Sequence, residues 1–150
     1  MRLSCLKALL PVVALATACH ETTAPPAPGL YLLETFNNRP LPTVLVAGTR
    51  DTITLVGATL ALDGTASAVV VAHSREVHPD LPPRDVIDTT RYLYHILGDS
   101  IAFDNSPDCP LDALCAPPPY GKVTSSTMTL FEGVAPNSRY TYFYRAVALD

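Results

Sequence analysis

The sequence predicts an all-β fold, about eight strands in sequence-adjacent antiparallel hairpins that close into a barrel or pack as two sheets. Three observations carry that expectation. Val, Ile, Thr and Tyr recur in short runs of alternating character, and no long segment repeats with a helical period. Many of the 15 prolines punctuate these runs or fill the loops between them. The turn-forming dipeptides Asp63-Gly64 and Gly98-Asp99 join neighbouring runs as hairpins. With no helix to act as a crossover, such strands must close on themselves or pack as two sheets to protect their edges.

The first 18 residues are expected to precede the fold as a signal peptide. Arg2 and Lys7 make a basic start, residues 8–16 are apolar, and small residues run into Cys19. The apolar run is too short to span a bilayer as a helix. Leu15-Ala16-Thr17-Ala18-Cys19 resembles the lipobox of bacterial lipoproteins, with Ala16 where Leu is usual. The resemblance implies cleavage before Cys19, acylation of its thiol and new amine, and anchoring to a membrane through that lipid. It also implies transfer to the outer membrane, facing periplasm or surface, because His20 and not Asp follows the cysteine. An ordinary secretory leader with an incidental cysteine is the alternative. Residues 19–28 then form a disordered tether, with three prolines and no large apolar side chain to bury.

Residues 29–150 supply the β-domain. Residues 29–36 are the first strand, and Asn37-Asn38 turns it. Pro40 and Pro42 frame a link into a strand at 43–47. Residues 51–62 and 65–73 make the clearest hairpin, across a two-residue type I′ turn at Asp63-Gly64. Residues 79–85, with Pro79, Pro82 and Pro83, are expected to be a rigid loop with no room for a ladder. Residues 88–97 pair with 100–103 across Gly98-Asp99. A long irregular loop at 105–120 carries five prolines. Residues 122–131 are the penultimate strand and 139–147 the last.

Charge and cysteines narrow the class. The chain has 10 basic and 14 acidic side chains, and the leader removes two of the basic ones. No Lys or Arg cluster exists, so a nucleic-acid partner is not expected. Cys5 leaves with the leader and Cys19 takes lipid, which leaves Cys109 and Cys115. In an oxidising compartment these two are expected to form a disulfide that fixes the long loop. A two-thiolate metal site is the alternative, with no histidine near in sequence.

No cofactor or metal is expected, and no enzyme. There is no Gly-x-Ser-x-Gly elbow and no glycine-rich phosphate loop. His73, Glu76 and His78 bring two imidazoles and a carboxylate together in sequence. Their plain interpretation is polar residues at a strand exit, and their functional one is metal ligation. The tyrosines are more informative. Tyr140, Tyr142 and Tyr144 share one face of the last strand by alternation, and Tyr92 and Tyr94 do the same on another. They either build the core or line a cup that holds a ligand.

Gly29-Leu30-Tyr31, Asn37-Asn38-Arg39-Pro40-Leu41-Pro42, Leu60-Ala61-Leu62-Asp63-Gly64-Thr65, Gly98-Asp99 and Tyr144-Arg145 together resemble small lipocalin-like, calycin-type bacterial lipoproteins. The resemblance implies a closed antiparallel up-and-down barrel of about eight strands whose base Gly29, Tyr31 and Arg145 close, with Tyr31 standing where lipocalins carry Trp and Arg145 packed over its ring. The chain has no Trp. The expected function is a membrane-anchored, non-enzymatic envelope lipoprotein that holds a small apolar ligand against Tyr92, Tyr94, Tyr140, Tyr142 and Tyr144. The alternative is a structural or protein-interaction lipoprotein whose barrel is filled by side chains and whose contact surface is the Pro-rich loop.

Overall fold

A computed structural model describes residues 28–48, 50–104, 117–135 and 138–148. The expected leader, Cys19, most of the expected tether, Cys109 and Cys115 lie outside the described residues. Ten strands run through the rest: β1 (Gly29–Phe36), β2 (Arg39–Pro40), β3 (Thr43–Ala47), β4 (Thr52–Leu62), β5 (Ser67–His78), β6 (Leu81–Leu97), β7 (Ser100–Phe103), β8 (Tyr120–Val123), β9 (Thr127–Ala135) and β10 (Ser138–Ala146). They form one antiparallel sheet in the order β2-β1-β10-β9-β8-β7-β6-β5-β4-β3. A further pairing of β1 with β4 closes eight of them into an up-and-down barrel. The expected fold class is the one observed. Closure leaves the eight ring strands without a free side at that level.

Closure is partial along the barrel's height. β1 and β4 pair from Gly29↔Leu62 to Leu32↔Thr59 and then part. Beyond that point β1 pairs with β2, through Thr35↔Pro40 and Phe36↔Arg39. β4 pairs with β3 instead, from Thr43↔Leu55 to Ala47↔Thr52. Register shifts fall where the wall divides, between Leu33 and Thr35 on β1, Val44 and Val46 on β3, and Leu55 and Gly57 on β4. Each inserts a residue that bends its strand and moves the following side chains to the other face. Strict alternation from Tyr31 would turn Phe36 outward; after the bulge at Glu34 it is buried.

The joined end is packed. Tyr31, Leu60, Ile101 and Met128 are almost completely buried there, with Leu62, Ala68, Phe103 and Val123 beside them. Each large apolar side chain so buried contributes about 1.5–3 kcal/mol. Gly121 on β8 fits because β9 comes close: a Cβ there would lie 1.9 Å from the Thr129 carbonyl oxygen. The start of the described chain also sits at this end, since Pro28 packs on the turn at Gly64.

Several sequence expectations need correction in detail. Asp63-Gly64 is not a two-residue turn. Asp63 to Ala66 form a four-residue loop between Leu62 and Ser67, closed by Asp63 N–H donating to the Ser67 carbonyl. The Asp63 carboxylate accepts from the Thr65 and Ser67 amides and the Thr65 hydroxyl, and so organises the loop itself. Residues 81–85 are strand. Pro82 and Pro83 fall at a register shift on the part of β6 that β7 does not reach, where a missing N–H costs no ladder bond. The segment 122–131 is two strands. The Thr124 hydroxyl accepts from the Ser126 and Thr127 amides and turns the chain without glycine or proline. β3 lies outside the closed ring. Gly98-Asp99 is a tight turn as expected: Gly98 has φ +63° and Leu97 pairs with Ser100, the pattern of a type II′ turn.

Candidate functional site

Above the packed end the barrel is hollow. A cavity of about 670 Å³ opens at the end where β1 and β4 diverge. Strands β1, β4, β5, β6, β9 and β10 build its wall. β4 and β5 give Leu55, Ala58, Val70 and Ala72, and the small alanines leave room that larger side chains would take. β1 gives Leu33 and Phe36. β6, β9 and β10 give Thr90, Tyr92, Leu130, Glu132 and the row Tyr140, Tyr142 and Tyr144. Asn37, Arg39 and the β3 residues Val44 to Val46 stand around the mouth. The wall is chiefly apolar and aromatic, with a few polar groups, which is the make-up of small-ligand sites.

The aromatic side chains touch one another at varied tilts. Phe36 meets Tyr140 and Tyr142 at centroid separations of 5.1 Å, the latter edge to face. Tyr140 and Tyr142 lie perpendicular at 6.5 Å, and Tyr142 stacks on Tyr144 at the same distance. Each such pair adds about 0.5–1.5 kcal/mol beyond the area it buries.

One carboxylate enters this wall. Glu132 sits opposite Tyr140 in the β9–β10 ladder and accepts a 2.6 Å hydrogen bond from the Tyr142 hydroxyl. Burial pushes the Tyr142 phenol far above its ordinary value, and the hydrogen bond to Glu132 and the charge of Glu132 push it the same way. Tyr144 is raised by burial first, then by Tyr92 and Glu132. Tyr92 is raised by burial and then by Glu132. These three hydroxyls therefore keep their protons through the neutral range.

At the mouth and beyond, charges pair on the surface. Arg84 donates to Glu76, His78 contacts Asp51 and Glu76, and Arg75 forks onto Asp85 with His73 3.5 Å from the same carboxylate. His73 and His78 thus answer to different carboxylates. Among the described residues no three His, Cys, Asp or Glu side chains group to hold a metal ion.

The tyrosines named from sequence divide. Tyr92, Tyr140, Tyr142 and Tyr144 line the cavity. Tyr94 lies deeper, against Phe103 at 6.3 Å, with burial and Asp63 raising its phenol. Gly29 and Tyr31 stand at the closing seam, opposite Leu62 and Leu60. Arg145 does not join Tyr31. It pairs with Leu32 on the outer face, forks onto Glu34 at 2.6 and 3.1 Å, and lies 5.9 Å from the Phe143 ring. Alternation explains this: if Tyr144 points inward, its neighbour Arg145 points outward. Sequence reasoning missed Glu132. Its parity with Met128 and Leu130 on β9 was the signal, and the unrecognised turn at Thr124 hid where that strand begins.

Fold and cavity together define an antiparallel β-barrel cup. No family model, curated protein or solved structure matches the chain.

Proposed function

We propose that the chain is a cell-envelope lipoprotein, anchored through Cys19, whose barrel holds a small apolar ligand without transforming it. The observation that carries this is the half-filled interior: one end dense with Tyr31, Leu60 and Met128, the other a cavity of about 670 Å³ with an apolar wall. That volume suits a ligand of drug or lipid size. Pro28 lies at the packed end, so a tether leaving from there would direct the mouth away from the anchor. This layout supports reading the barrel as a lipocalin-like carrier, with the ligand entering from the side opposite the membrane attachment.

Titration with the neutral apolar fluorophore N-phenylnaphthylamine tests the reading. Saturable binding to one site is expected, and Ala72→Phe, which grows a ring into the cavity, is expected to abolish it while far-ultraviolet circular dichroism stays unchanged. Absence of saturable binding to the wild-type chain overturns the carrier function.

A second reading rests on β6, whose outer face exposes Ile87 (70%), Leu93 (51%) and Leu97 (82%). An exposed face of this kind suits an envelope protein partner, and crosslinking from position 93 in cells, lost on Ile87→Asp, is its test.

A further inference from the structure

The cavity carries one fixed charge that its own wall leaves unneutralised. Glu132 is the one acidic side chain among the described residues lining the cavity, and no Lys or His joins it there. Arg39, the sole basic lining residue described, belongs to the two-residue strand β2 at the mouth and is exposed. None of the ion pairs among the described residues involves Glu132; its contact is the Tyr142 hydroxyl. A carboxylate offers about four acceptor positions, and one hydrogen bond occupies one of them.

The groups around that carboxylate are tyrosine rings. Tyr140 stands opposite Glu132, Tyr142 bonds to it, and Tyr144 and Tyr92 are close enough for its charge to raise their phenols. Ring faces carry negative electrostatic potential and attract cations, quaternary ammonium groups above all. The aliphatic part of the wall (Leu33, Leu55, Val70 and Ala72) offers apolar contact. Resting on the carrier reading above, we propose that the cup selects a cationic amphiphile, an ammonium group seated at Glu132 among the tyrosines with its hydrocarbon portion against the aliphatic wall. An anionic amphiphile of the same length meets a like charge with no compensating cation inside, which is discrimination by repulsion.

The test uses the full chain and three ligands that share one tail: dodecyltrimethylammonium, dodecanol and dodecanoate. Each displaces N-phenylnaphthylamine at concentrations below its micellar range. Dodecyltrimethylammonium is expected to bind about tenfold more tightly than dodecanol, with dodecanoate weakest. Glu132→Gln is expected to bring the cation to the level of the alcohol and to leave dodecanol affinity unchanged. Tyr92→Leu, which keeps the carboxylate and removes one ring, is expected to weaken the cation more than the alcohol and covers the case where the first variant folds poorly. Equal affinity for the three tails, tighter dodecanoate, or a cation preference that survives Glu132→Gln overturns the charge selection and leaves the carrier intact. Failure of every tail and of the fluorophore overturns the carrier itself.

Discussion

At the scale of single residues, burial and close approach separate the side chains that matter from those that only look important. Gly121 has no room for a methyl, because the Thr129 backbone occupies its place. Gly121→Ala must push β8 away from β9, and a loss of about 1–3 kcal/mol is expected as a lower urea midpoint. Leu60 is fully buried, and Leu60→Ala is expected to lose about 2–5 kcal/mol in the same measurement. Arg145 is the contrast. A resemblance to lipocalins gives it a closing role, yet its guanidinium forks onto the exposed Glu34. Surface pairs of this kind add little, so Arg145→Ala is expected to leave the urea midpoint unmoved within error. A clear drop there would restore a structural role for the outer pair.

At the scale of elements, the sequence made strand identity legible and strand membership less so. Alternation located the tyrosine faces of β6 and β10, and Gly98-Asp99 announced its hairpin. The count of eight is also right, although two differences offset each other. The Val-rich run of β3 reads from sequence as a ring strand, because it looks the same on an edge as in a closed wall. The strand at 122–131 hid a turn, because Thr124 makes it with a hydroxyl and not with glycine. The bulges on β1, β3 and β4 were invisible, since they arise from two strands parting and not from local composition. They are what opens the cup. The β1–β2 hairpin is held against β10 by Asn37, whose amide donates to the Thr141 carbonyl and whose side-chain oxygen accepts from the Thr141 amide. Asn37 also has φ +50°. Asn37→Gly keeps that conformation accessible and removes only the side-chain bond, so a loss of about 1 kcal/mol is expected, with faster hydrogen exchange at Thr141. Asn37→Ala adds backbone strain and is expected to lose more.

At the scale of the whole molecule, a barrel that stores protonated phenols in its interior has a weakness at high pH. Burial raises Tyr142 and Tyr144 well above the ordinary phenol value near 10, and raises Tyr31, Tyr92 and Tyr94 in the same direction. Below that value both the folded and the unfolded chain keep these protons, and pH has no leverage through them. Above it the unfolded chain releases protons that the folded barrel retains, so stability falls as pH rises. The slope is about 1.4 kcal/mol per pH unit for each tyrosine held protonated. The melting temperature is therefore expected to drop steeply above about pH 10, with phenolate absorbance from the buried tyrosines appearing together with loss of the β-sheet signal and not before it. General repulsion in an increasingly negative chain predicts a drop too, but one indifferent to any single phenol. Tyr142→Phe separates the two: it removes one retained proton, so the alkaline slope is expected to become shallower. Identical slopes in wild type and Tyr142→Phe would mean that the interior phenols do not govern how the barrel fails.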